Sequence, residues 1–220
     1  MPRRNKSKVK GLTKTQQKSV KKIAKEVAMA IPERKTFGFQ AENIQLIHNK
    51  VSYLDSWLKC KQGTADPDDL TGQLVRIGDE VMLRNINVRF WLSNKDDRPN
   101  CMYKLYLFWY DSGMTLDDAY CYFTNTNKML DRTNDENISV IDQQTIFSGP
   151  SYAGTEKEHS YLATLKASWK GKKNNIRWGG AVPKKRDLGT MVVAYDAYGT
   201  LQLDNIASYA YNGIVTIQDA

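Results

Sequence analysis

Ten basic side chains with no acid among them, Arg3, Arg4, Lys6, Lys8, Lys10, Lys14, Lys18, Lys21, Lys22 and Lys25, are the strongest chemical signal in this sequence. Cations at that density neutralise phosphates, and the stretch holds no aromatic ring on which a base could stack. The pattern points to contact with a nucleic-acid backbone that is blind to base sequence. A solvated lysine tail or a nuclear localisation signal has a similar composition, but ten charges without one acid exceed what solubility requires.

Other constellations offer less. The two histidines, His48 and His159, stand apart, and there is no Cys-x-x-Cys, His-x-His or Glu-x-x-His, so transition-metal chemistry has almost no ligands to draw on. Both histidines are expected at the surface or at strand ends. Acidic clusters occur at Asp66, Asp68 and Asp69, at Asp117 and Asp118, and at Asp131, Asp135 and Glu136. They read as solvated loop carboxylates, and none has EF-hand spacing; a Ca2+ bridging two chains is the only cofactor they suggest, and no spacing supports it. Gly171-Lys172-Lys173 lacks the upstream glycine and the following hydroxyl of a phosphate loop. No base stands near Ser112, Ser148 or Ser168 in sequence, and nothing argues for an enzyme. Cys60, Cys101 and Cys121 are expected to be reduced thiols, because the charged amino terminus lacks the apolar stretch of a secretory leader.

The elements that carry these residues divide by charge. Residues 1–35 hold twelve Lys/Arg and two acids, a net of +10, whereas residues 36–220 hold twenty Lys/Arg and twenty-two acids, a net of −2. All twenty-three aromatic residues lie from Phe37 onward. The chain reads as a basic arm, residues 1–35, joined to a globular body, residues 36–220. Met1 to Gly11 has almost nothing to bury and is expected to lack fixed structure. Thr13 and Gln16 then fit a capping box, Val20, Ile23, Ala24, Val27 and Ile31 recur at helical spacing, and Pro32 is placed to stop the helix. The longest run of apolar or aromatic residues, Leu105 to Tyr110, is far short of a membrane-spanning helix.

In the body, β-branched and aromatic runs alternate with Gly, Asp, Asn and Lys clusters. Eight strands are predicted: Phe37–His48, Gly78–Ser93, Tyr103–Tyr110, Ile138–Phe147, Tyr161–Trp169, Ile176–Trp178, Gly189–Tyr198 and Asn205–Ile217. Val51–Leu58 and Leu116–Phe123 are further apolar patches, the second with room for a helical turn. In the second strand the alternation changes phase near Arg84 and Asn85, which predicts a β-bulge. Tyr103–Tyr110 is apolar on both faces and should be central; Asn205–Ile217 also lacks a clean solvent side, so its outer face should meet something. The whole fits an all-β, eight-stranded antiparallel jelly-roll sandwich with a basic arm and a short amphipathic helix.

Four stretches in this order resemble the capsid proteins of the smallest icosahedral viruses. They are the lysine-rich arm with its helix (Lys14 to Ile31), GQLVRIGDEVMLRNINVRFWL (Gly72 to Leu92), YKLYLFWYD (Tyr103 to Asp111) and DRTNDENISVIDQQTIF (Asp131 to Phe147). The likeness is to the capsids of circular, Rep-encoding single-stranded DNA viruses and to satellite necrosis-type plant virus coat proteins. It implies a T=1 shell of sixty identical subunits, with the arm facing a packaged single-stranded genome, DNA by the first likeness. It also implies the virion as location, with the host nucleus if the genome is DNA, and exposed aromatics such as Trp91 at subunit contacts. Here the arm favours Lys over Arg, unlike many arms of that group. A non-viral β-sandwich that binds nucleic acid or carbohydrate through a basic tail is the alternative reading.

Overall fold

The computed structural model describes residues 13–30, 34–63, 75–76, 78–147, 160–170, 174–196 and 204–219. The expectations for Arg3 to Lys10, for Pro32, for Asp66, Asp68 and Asp69, for Ser148, for His159 and for Gly171 to Lys173 lie outside them. In chain order the elements are α1 (Lys14–Ala30), β1 (Arg34–Ile47), β2 (Val51–Leu54), β3 (Lys61–Gln62), β4 (Val75–Arg76), β5 (Glu80–Asn94) and β6 (Cys101–Asp111). There follow α2 (Asp118–Cys121), β7 (Ser139–Phe147), β8 (Ser160–Ser168), β9 (Asn175–Gly179), β10 (Val182–Pro183), β11 (Arg186–Asp196) and β12 (Asn205–Asp219).

One sheet runs β1-β12-β5 with β8 also paired to β5, and the other runs β2-β11-β6-β7. All of these pairings are antiparallel. Counted in chain order, the framework strands stand first-eighth-third-sixth and second-seventh-fourth-fifth, which is the jelly-roll order. The predicted fold class holds, but two of its members change. The short Val51–Leu54 is a framework strand against β11. The predicted Ile176–Trp178 is instead part of β9, which pairs with the first three residues of β5 and extends the first sheet toward β10.

Alternation along the strands explains the layers. Leu83, Ile86, Val88, Phe90 and Leu92 of β5 face Tyr103, Leu105, Leu107 and Trp109 of β6 across the main core. The predicted bulge is present: Asn85 pairs Thr216 and Leu83 pairs Ile217, leaving Arg84 as the extra residue. Its guanidinium Nε donates to Gln218 Oε1 at 2.6 Å, and its carbonyl accepts from Trp169 N at 2.8 Å. Trp57 wedges between the sheets against Phe39 and Tyr211. Only glycine fits opposite it, because a Cβ on Gly213 would lie 2.2 Å from Trp57 Cζ3.

β6 is central, and both of its faces are buried, as expected. Its second face carries Tyr106, Phe108 and Tyr110, which pack with Val51, Met191 and Val193 beneath Leu116, Cys121, Tyr122 and Ile138. The connection between β6 and β7 therefore forms a third layer, held by its polar groups. Asp117 caps α2 by accepting from Tyr120 N at 2.7 Å, and Asp118 accepts from Tyr53 Oη at 2.8 Å and pairs with Lys128 Nζ at 3.1 Å. Asp131 accepts from the N–H groups of Thr124, Asn125 and Arg132. These carboxylates are not merely solvated; they organise the layer. Where the two sheets meet at one side, Gln144 and Asp142 of β7 accept from Thr164 N (3.2 Å) and Lys166 N (2.8 Å), occupying donors on the free edge of β8.

Asp187 is buried at the start of β11, and its Oδ1 accepts from Leu58 N at 2.9 Å and Leu188 N at 2.7 Å. Burial pushes its carboxyl up to about 6 against those two bonds, with the nearby Asp55 charge adding to the rise. A folded-state value above the unfolded one means that the native state binds the extra proton. The group therefore costs stability as pH rises from about 4 through 6, and the cost is complete above 6. Asp187→Asn keeps an oxygen for both donors and removes the charge. The expected result is a gain of roughly 2 kcal/mol at pH 7.5 that vanishes by pH 4. Thermal unfolding of both proteins across that range checks it, and equal midpoints at pH 7.5 would show that the buried carboxylate carries no such cost.

Candidate nucleic-acid and assembly surfaces

The helix α1 begins as its sequence dictates. Thr13 N donates to Gln16 Oε1 at 2.9 Å and Gln16 N donates to Thr13 Oγ1 at 3.3 Å, the reciprocal pair of a capping box. Seventeen residues at about 1.5 Å each make a rod of roughly 26 Å. At about 100° per residue, Lys14, Lys18, Lys21, Lys22 and Lys25 fall within one arc roughly 100° wide. Val20, Ile23, Ala24 and Val27 fall on the opposite arc.

The side chains of Lys18, Lys21 and Lys22 are exposed. So are those of Val20 and Ile23, at 49% and 58%. The helix thus offers a cationic face and an open apolar stripe. Of the ten predicted phosphate-contacting residues, five are brought onto one side of a helix, while Arg3, Arg4, Lys6, Lys8 and Lys10 belong to the part outside the described residues. The body's first strand begins at Arg34, two residues before the boundary expected from composition.

The body's outer surfaces carry large apolar side chains. Trp91 and Leu162, 61% and 71% exposed, lie on the outer face of the first sheet as directly paired neighbours. Phe147, 67% exposed, ends β7, and Phe123 and Leu130, 54% and 84% exposed, project from the third layer. The last two border an open cleft of about 550 Å³ with Lys104, Tyr106, Arg132 and Gln143. Lys104 is engaged within it, since its ammonium donates to the Met129 carbonyl at 3.0 Å and sits 5.3 Å from the Tyr106 ring centre. Burial lowers its pKa, and the Asp131 charge opposes that shift.

Of the two places expected for His48, the surface or a strand end, it takes the second, directly after β1. It is buried there, its ring tilted against Tyr195 at 4.6 Å and its Nδ1 accepting from Asp196 N at 3.1 Å. Burial lowers its pKa, against the nearby Asp196 and Asp204 charges, and the ring serves packing. The three cysteines are buried. Burial pushes Cys101 and Cys121 up to about 12, which leaves both inert as nucleophiles. Among the described residues, no group of three or more His, Cys, Asp or Glu side chains is gathered as a metal site requires. No helix among them is long and apolar enough to cross a membrane.

Sequence reasoning missed the cations that accompany Trp91. Arg89 and Lys166 stand on the same exposed face, and strand parity could have found them once β5 and β8 were paired. It also missed the burial of Arg76. In Arg-Ile-Gly-Asp this side chain is fully enclosed, and it donates to the Gly78 carbonyl, to Asp79 Oδ1 at 3.1 Å and to the Gly180 carbonyl at 2.6 Å.

No protein-family model matches the chain, and no curated protein does. Similar solved structures exist. A chain from the cryo-EM structure of Mud crab tombus-like virus shares 12% identity over 86% of this chain and 80% of that one, with a TM-score of 0.47. A chain of Desmodium yellow mottle tymovirus shares 9% identity over 86% and 88%, with a TM-score of 0.38. One of turnip yellow mosaic virus shares 8% over 86% and 94%, with a TM-score of 0.37.

Proposed function

We propose that this chain is a viral capsid protein that self-assembles into a small icosahedral shell and packages a single-stranded genome through its basic arm. The observation that carries the reading is the joining of two parts: a jelly-roll body with large apolar side chains on several outer surfaces, and a helix with five lysines along one side. Phe147, Phe123 and Leu130 project from the second sheet and the layer that covers it, as a subunit with neighbours requires.

In this reading residues 1–35 are the nucleic-acid arm and residues 36–220 the shell domain, the protein's place is the virion, and its role is structural rather than enzymatic. The shell has T=1 symmetry with sixty copies, whose arms bring roughly 600 positive charges to the genome. The cargo is DNA, on the resemblance to circular single-stranded DNA virus capsids.

Expression of the full chain, purification at moderate salt and negative-stain microscopy test the reading. Uniform particles roughly twenty nanometres across are expected, with co-purified nucleic acid that the appropriate nuclease identifies as DNA or RNA after release. A clean monomer without nucleic acid that persists as salt is lowered would overturn the assignment and favour a basic-tailed binding module.

A further inference from the structure

The outer face of the β1-β12-β5-β8 sheet lies open at the surface, although β12 reads from its sequence as covered on both sides. Its make-up is selective. Along β5 it presents Asn87, Arg89, Trp91 and Ser93, and along β8 it presents Ser160, Leu162, Thr164 and Lys166. Ser93 Oγ and Ser160 Oγ lie 3.0 Å apart, and Thr36 Oγ1 and Thr216 Oγ1 lie 3.4 Å apart, which places these residues on the one face. Beside Trp91 is an open cleft of about 320 Å³, bordered by Asn43, Ser93, Ser160 and Ser208 and by one carboxylate, that of Glu42.

We propose that this face binds single-stranded nucleic acid, with Trp91 as a stacking platform for a base and Arg89 and Lys166 as contacts to the flanking phosphates. The proposal rests on the reading of the chain as a genome-enclosing subunit and adds a body surface to the arm.

Three observations favour this occupant. Trp91, 61% exposed, offers an aromatic ring in the place the arm lacks one, and stacking on such a ring tolerates any base. Arg89 and Lys166 stand on the face itself, the nearby carboxylates being Glu42 at the cleft and Asp142, which is bonded to Lys166 N at the β8 edge, and the remaining side chains are mostly amides and hydroxyls able to meet base edges and sugar oxygens. The lysine helix ends at Ala30, and β1 of this same sheet starts at Arg34, a gap of at most about 14 Å, so one strand can follow the arm onto the sheet. A second protein copy fits less well. The core of a protein interface is depleted in charge, whereas the Trp91 and Leu162 pair is bordered by Arg89 and Lys166.

The test uses the full chain, titrated with a labelled twenty-residue oligothymidylate and followed by anisotropy and by tryptophan emission. Trp91→Ala is expected to weaken binding about tenfold with the salt dependence unchanged, because stacking releases no counterions. Trp91→Phe should retain most of the affinity. Replacing Lys18, Lys21 and Lys22 together by Ala should instead lower the slope of log affinity against log salt by about 2. Unchanged affinity in Trp91→Ala, with no quenching in the parent, would overturn the proposal. So would loss of particles at unchanged oligothymidylate affinity, which assigns the face to subunit contact, or loss of glycan binding alone, which assigns it to a carbohydrate. Absence of particles from the parent chain is read separately by microscopy, so failure of the capsid reading and failure of the sheet-face proposal are distinguishable.

Discussion

Deleting residues 1–25 is expected to yield particles, or at least folded subunits, that have lost the bulk of their nucleic acid. The deletion removes all ten acid-free basic residues, and each phosphate contact on a single strand contributes about 0.7 to the salt slope. Full loss of the arm should therefore lower that slope by up to about 7, and the 260-to-280 nm absorbance ratio should approach that of protein alone. The body should survive, because β1 starts at Arg34 and the first residue of the main core is Phe37. Residual, weakly salt-dependent binding is expected from the sheet face that carries Trp91. An unfolded truncated chain would sink the division into arm and body. A folded chain that keeps its full load of nucleic acid would sink the assignment of the arm.

The second large effect is expected at Arg76. Its side chain has no exposure, and its guanidinium stacks 5.3 Å from the Trp178 ring centre while joining the Gly78 and Gly180 carbonyls to Asp79. Trp178 Nε1 in turn donates to the Leu58 carbonyl at 3.0 Å, so this one cation ties the β3-β4 pair, the start of β5 and the β9-β10 turn to the main core. Arg76→Leu fills similar space but takes the charged donor from two part-buried carbonyls, those of Gly78 and Gly180. Because Asp79 is 76% exposed, its share of the ion pair is largely screened, and the carbonyls set the cost at about 3 kcal/mol. For a domain of this size that lowers the unfolding midpoint by about 10 °C. Arg76→Lys should recover only part, since one ammonium cannot reproduce the planar fork. A midpoint for Arg76→Leu within a degree of the parent would remove the staple from the account.

Much of the body was legible because its signals are local. The phase change at Arg84 marks a bulge in any sheet, as a single inserted residue reverses which side chains face inward. The two apolar faces of β6 required layers on both sides, and the connection that covers the second one is anchored by Asp117, Asp118 and Asp131. Those carboxylates looked solvated in sequence because their partners are backbone N–H groups and a lysine and tyrosine brought in by folding.

The sequence alone determined the charge division, the helix that starts at Thr13 and Gln16, and the all-β character of the rest. Composition, capping and periodicity are properties of neighbouring residues, so no distant contact is needed to read them. Only the tertiary structure decided that four residues, Val51–Leu54, join the framework while Ile176–Trp178 does not, since so short a strand is defined by its partner, here β11, more than 130 residues away in the chain. It alone also decided that Arg76 and His48 are enclosed and that Trp91 shares an open face with Arg89 and Lys166. Burial and facing depend on which strands pair, and the pairings that close a jelly roll, β1 with β12 above all, join the two ends of the body.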